Sequence, residues 1–125
     1  DPSMAGAAGG HALVTNTQDL CIFMQALLKG EFFASKETLA SMLVGVDVGR
    51  QGITYGLGIM RRELPNGNYA YGHTGSTAGY ASFILHFPEQ GITASSVIST
   101  DQSAAIPFYI FPSLDIVAKD LQENH

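Results

Sequence analysis

The hydrophobic period changes along the 125-residue chain, from helical spacing near its start to alternation from Ile53 onward. That change constrains the fold more than any other feature. Leu20, Phe23, Met24, Leu27 and Leu28 recur at i, i+3, i+4, i+7 and i+8, the pattern of one helical face. Thr15 with Gln18 has capping-box spacing, Asn16 or Thr17 would cap equally well, and Gly30 just past Lys29 supplies a stop. A second, shorter helix is expected from Ser35, carrying Leu39, Met42 and Leu43 inward. Composition from Gly45 to Gly52 reads as a loop. Beyond it Ile53, Tyr55, Leu57 and Ile59 alternate with Thr54, Gly56, Gly58 and Met60, which predicts one strand whose glycine-lined face admits a closely packed neighbour.

Turn chemistry orders the second half of the chain. Pro65-Asn66-Gly67-Asn68 is a strong turn signal, so Tyr69 to Gly75 should return antiparallel to the strand before it. A third strand is expected from about Tyr80 to Phe87, with apolar residues on both faces. Pro88-Glu89-Gln90-Gly91 then turns the chain into a fourth, Ile92 to Thr100, rich in β-branched and small residues. After Asp101, Pro107 and Pro112 exclude one long helix. Pro112 suits a first helical turn, from which Leu114, Val117 and Leu121 space correctly for a helix on the sheet. The predicted class is α+β: an antiparallel sheet of about four strands with N-terminal helices and a C-terminal helix. The helical segment covers about residues 1–44 and the strands with the last helix about 45–125. Residues 1–11, small and Gly/Ala-rich, read as a flexible entry.

Charged residues make up 14% of the chain and hydrophobic ones 46%, so few charges are available to cover a small domain. Apolar surface is therefore expected to meet another segment or a second copy of the chain. The net charge of −5 and scattered basic residues, with Arg61-Arg62 the only adjacent pair, argue against a nucleic-acid partner. The single cysteine, Cys21, cannot form an internal disulfide and sits among Leu20, Ile22, Phe23 and Met24, as a buried inert thiol would. The apolar runs are too short to span a bilayer as helices, and the first residues lack the pattern of a signal peptide.

The chemistry concentrates in Tyr71-Gly72-His73-Thr74-Gly75-Ser76-Thr77-Ala78-Gly79-Tyr80 and the apolar run to Phe87-Pro88-Glu89. Upstream stand Ala8-Gly9-Gly10, Leu13-Val14-Thr15, Asp19-Leu20 and Tyr55-Gly56-Leu57-Gly58. In this order the set resembles the penicillin-recognising serine hydrolases, the superfamily of class C β-lactamases, D-alanyl-D-alanine carboxypeptidases and related esterases. Residues 72–75 are similar to the family's His/Lys-Thr-Gly strand, 55–58 to its Tyr-Gly-Leu-Gly strand, and 8–20 to its Gly-Gly-Leu-Val-Ser-Thr, Asp-Leu helix entry. His11-Ala12 stands as a two-residue insertion in that entry. The family's Ser-x-x-Lys nucleophile motif and its Tyr-x-Asn or Ser-x-Asn motif occur nowhere in these 125 residues. The resemblance thus implies the C-terminal part of such an enzyme, holding one wall of the site without the nucleophile.

The parent, by the same resemblance, cleaves an amide or ester (β-lactam, D-Ala peptide or ester) through an acyl-serine intermediate. The upstream Ser attacks, while Lys and Tyr shuttle the proton. The Ser76 N–H is implied as one oxyanion donor, with the nucleophile's own N–H as the second. Such donors are worth roughly 3 kcal/mol or more each. Thr74 is implied to hydrogen-bond a substrate carboxylate or acyl group, and Gly75 carries no side chain to block its approach. His73 takes the place where many relatives have Lys. A typical imidazole titrates near about 6.5 and lysine near about 10.4, so a histidine here would make anion recognition weaken toward mildly alkaline pH.

Neither metal nor organic cofactor is implied. The implied partners are the N-terminal part of the same enzyme and a small-molecule or peptide substrate, in an extracytoplasmic setting, with pairing of two copies through an exposed sheet edge as an alternative. A non-catalytic peptide-binding module and a structural half that joins a separate N-terminal chain are the rival readings. One departure weighs on specificity: Ser99-Thr100-Asp101 stands where class C β-lactamases carry an Asn that reads the substrate carboxylate.

Read without the family, His73 is a strand histidine with a satisfied hydrogen bond, and His86, in the run from Phe83 to Phe87, is structural or solvent-facing. His11 and His125 have no metal-ligand spacing. Phe32, Phe33, Phe108, Tyr109 and Phe111 read as core or interface contacts.

Overall fold

A computed structural model describes residues 13–64, 67–77, 79–99 and 120. Two helices, α1 (Thr17–Leu28) and α2 (Lys36–Leu43), precede six strands: β1 (Val46–Arg50), β2 (Ile53–Tyr55), β3 (Met60–Glu63), β4 (Tyr69–Thr77), β5 (Tyr80–Phe87) and β6 (Ile92–Ser99). The strands form one sheet in chain order, and each pairs antiparallel with the next. The α+β class and the antiparallel meander match the sequence expectation. The expected C-terminal helix and the entry segment lie outside the described residues, Asp120 apart, which is helical.

Local chemistry accounts for the helix limits. Asn16 caps α1, its side-chain oxygen accepting the Asp19 N–H at 2.9 Å while its amide nitrogen donates to the Asp19 carboxylate at 2.8 Å. The helix closes in a Schellman arrangement: Gly30 N–H donates to the Leu27 carbonyl and Glu31 N–H to that of Ala26, both at 3.0 Å. Ser35 precedes α2 as its N-cap with no side-chain capping bond, and no residue of that helix is fully buried. The inward residues of α2 are Leu39, Met42 and Leu43, each half-buried.

Two strand expectations are corrected. The segment expected as a loop contains β1, whose five residues are all exposed. The single strand expected from Ile53 onward is a hairpin, β2 and β3, so the sheet has six strands rather than four. The link between them is closed by the Gly56 N–H, which donates to the Ile59 carbonyl at 2.7 Å, and Gly58 carries a φ of 77°. Leu57 continues the apolar alternation in sequence but projects into solvent, 71% exposed. The close approach expected at the glycines occurs at Gly56, which lies against the Met42 carbonyl at the end of α2, and Leu57 N–H donates to that carbonyl at 2.9 Å.

The sheet has two packed faces. On one, Ala81, Phe83, Leu85 and Phe87 of β5 join Leu64 and Ala70 in a buried cluster flanked by Ile92, Ala94 and Ile98. Each large side chain buried there contributes about 1.5–3 kcal/mol relative to exposure. On the other, Met24 and Leu27 of α1 meet Ile59, with Leu28, Phe33, Met42, Leu43, Tyr71 and Ile84 packed around them. Alternation along β5 thus fixes its register, because a one-residue slip would turn Phe83 and Leu85 away from their cluster. Phe23, expected on the inner face of α1, is 51% exposed and stacks on Phe32 at 5.3 Å.

Candidate active-site wall

β4 has two halves with different neighbours. Its first half pairs with β3 on one side and β5 on the other, ending at the match of Met60 with Gly72. From His73 to Thr77 it pairs with β5 alone, so this stretch is a strand edge among the described residues. The motif read from sequence occupies that edge. His73, Gly75 and Ser76 are exposed, and Thr74 is half-buried opposite Phe83. The structure therefore brings all four sequence-predicted site residues onto one continuous segment of backbone.

Both nitrogens of the His73 ring are engaged. Nδ1 lies 2.5 Å from the Thr74 carbonyl oxygen, and Nε2 lies 2.6 Å from the hydroxyl of Tyr55 on β2. The two rings meet edge-on, with centroids 5.6 Å apart and planes at 82°. The satisfied strand histidine and the motif histidine are thus the same residue. Tyr55 is visible in sequence only as part of the apolar alternation and of the Tyr-Gly-Leu-Gly run. Nothing in its spacing from His73 signals the contact, because the β2–β3 hairpin that creates it has the apolar period of one strand.

The other candidates fall outside this wall. His86 Nδ1 pairs with the Thr93 hydroxyl at 2.8 Å, and burial pushes its pKa below the usual imidazole value, the signature of a structural histidine. Cys21 is half-buried rather than fully buried, its thiol 3.9 Å from the Thr93 carbonyl beneath α1. Burial also raises the pKa of the Tyr71 phenol, with Tyr69 adding to the effect and Arg61 opposing it. Ser99 ends β6 opposite Tyr80, while Thr100, Asp101, His11, His125, Phe108, Tyr109 and Phe111 lie outside the described residues. Among the described residues no group of three His, Cys, Asp or Glu side chains converges to hold a metal ion, and no helix is long and apolar enough to cross a membrane.

A separate open cleft of about 340 Å³ lies across β1, β2 and β3, lined by Asp47, Arg50, Arg61 and Glu63 with Thr54 and Gln51 among others. Its lining includes none of residues 73–76, and its two arginines are matched by two acids, so it presents no single-signed field.

Fold and motif together are those of a beta-lactamase type of domain. The beta-lactamase family model matches residues 1–115, and the chain belongs to that family. Among solved structures, a D-stereospecific amidohydrolase from Streptomyces sp. is similar to this chain with a TM-score of 0.68 and 28% sequence identity over 88% of the chain. The chain spans 34% of the length of that enzyme.

Proposed function

We propose that these residues form the C-terminal portion of a serine hydrolase that cleaves an amide or ester through an acyl-serine intermediate, with the nucleophile supplied from outside the 125 residues. The observation that carries this reading is the edge of β4, where residues 73–77 have left the β3 partner and, among the described residues, pair with β5 alone. Successive residues of an antiparallel strand turn their N–H and C=O groups to opposite edges, so Thr74 and Ser76, two apart, face the same way. The Thr74 carbonyl is reached by a ring whose other nitrogen is held by β2, which lies on the β3 side of β4. The Ser76 N–H is therefore assigned to the open edge, where it serves as an oxyanion donor beside the nucleophile.

Thr74 hydrogen-bonds the bound carboxylate or acyl group, and His73 and Gly75 complete the substrate wall. Gly75 contributes accessible backbone without bulk: a methyl added there would meet only the Ser82 hydroxyl, at 3.2 Å. The similarity to a D-stereospecific amidohydrolase supports an amide substrate with a D-configured residue over a β-lactam. In the parent enzyme, Thr74→Val keeps the shape of the side chain and removes its hydroxyl. The expected result is a fall of about tenfold in kcat/KM on a D-amino-acid amide, the worth of one hydrogen bond of about 1.5 kcal/mol. Steady-state kinetics of the two proteins checks it, and an unchanged kcat/KM removes Thr74 from the wall.

A further inference from the structure

We infer that Tyr55 is a positioning residue that braces the free edge of β4 through the His73 ring, an inference that rests on the reading of residues 73–76 as the substrate wall. The bonding pattern assigns the protons of the neutral ring. A carbonyl oxygen only accepts, so the contact between Nδ1 and the Thr74 oxygen requires the proton on Nδ1. A neutral ring then leaves Nε2 as an acceptor, and the Tyr55 O–H donates to it at 2.6 Å. The result is a directed chain, from Tyr55 O–H to Nε2, and from Nδ1–H to the Thr74 carbonyl.

This chain stands where the ladder is missing. β3 releases β4 after Gly72, and the next backbone carbonyl two residues on is held by an imidazole instead of a neighbouring strand. Tyr55 is suited to anchor it: it is half-buried at the end of β2, and the following residue, Gly56, is pressed against the Met42 carbonyl of α2. Restraining Thr74 restrains Ser76 two residues further, and an oxyanion donor is effective only when its direction is fixed before reaction. With its Nε2 lone pair committed to Tyr55, the neutral His73 ring serves as a strut and not as a free base.

The test is the tautomer of His73, read from 15N shifts of the parent enzyme at a pH where the ring is neutral, with the resonance assigned by its loss in His73→Gln. The expected wild-type spectrum shows the Nδ1–H tautomer. Tyr55→Phe, which keeps the ring and removes the hydroxyl, is expected to shift the population toward the Nε2–H tautomer, to speed amide exchange at residues 74–77 and to lower kcat about tenfold with little change in KM. An Nε2–H tautomer in the wild type overturns the inference regardless of how the variant folds, and so does an unchanged tautomer in Tyr55→Phe. A shifted tautomer with unchanged kinetics upholds the brace and instead contradicts the reading of residues 73–76 as the substrate wall.

Discussion

Ser76→Pro is expected to lower kcat of the parent enzyme by about 10²–10³-fold, the usual cost of deleting one oxyanion-hole donor, about 2.7–4 kcal/mol. Proline removes the backbone N–H and leaves the carbonyl, so the substitution addresses the group that the wall is proposed to contribute. The position tolerates it better than most strand positions would. Ser76 is exposed and pairs with Ala81 on one side only, and an edge strand whose N–H faces outward loses no ladder bond to proline. Ser76→Ala is the matching control, because it keeps the N–H and removes only an exposed hydroxyl. Far-UV circular dichroism establishes that both variants fold, and steady-state kinetics reads the effect. A Ser76→Pro enzyme that folds and retains wild-type kcat contradicts the oxyanion role.

Gly72→Ala is expected to be the most destabilising small substitution in the sheet, costing about 3 kcal/mol, the upper end of typical overpacking penalties. A Cβ at this buried position would collide with the Ile84 carbonyl and lie 3.0 Å from the Leu85 Cα. Both obstacles are backbone, so no side-chain rotation relieves them. Gly72 is also the last point at which β4 is paired on both sides, to Met60 and to Leu85. Any shift there propagates directly into His73 and Thr74. For a folding unit of roughly 150–250 residues, the cost corresponds to a fall in Tm of about 6–12 °C in thermal denaturation, with loss of activity ahead of unfolding. A Gly72→Ala enzyme with wild-type Tm contradicts the packing described for β4 and β5.

Most of the fold is legible in the sequence where turn chemistry and period agree. Pro88 to Gly91 and the apolar run from Tyr80 to Phe87 place β5 and β6 within a residue of their observed limits. The failure at β2 and β3 has an identifiable cause. Apolar side chains at Ile53, Tyr55, Leu57 and Ile59 keep a strand period straight through a turn, and the bond from Gly56 to Ile59 that makes the turn leaves no trace in that pattern. β1 escapes a sequence reading because its glycine and charge content resembles a loop, and because an exposed edge strand has no buried face to impose a clear pattern. The candidate site divides in the same way. Residues 73–76 are contiguous and legible as a motif, while their partner Tyr55 comes from the hidden hairpin and requires coordinates to find.

The central claim is that this chain holds the substrate wall of a serine hydrolase and receives its nucleophile from elsewhere in the parent. Intact-mass spectrometry after incubation with an acylating penicillin and, separately, with a reactive fluorophosphonate tests it most directly. The account predicts a stoichiometric adduct on the parent, mapped by peptide analysis to a serine outside residues 1–125, and no adduct on the 125-residue chain alone. An adduct on a serine within these residues would contradict it, because the group that attacks the substrate would then belong to this chain.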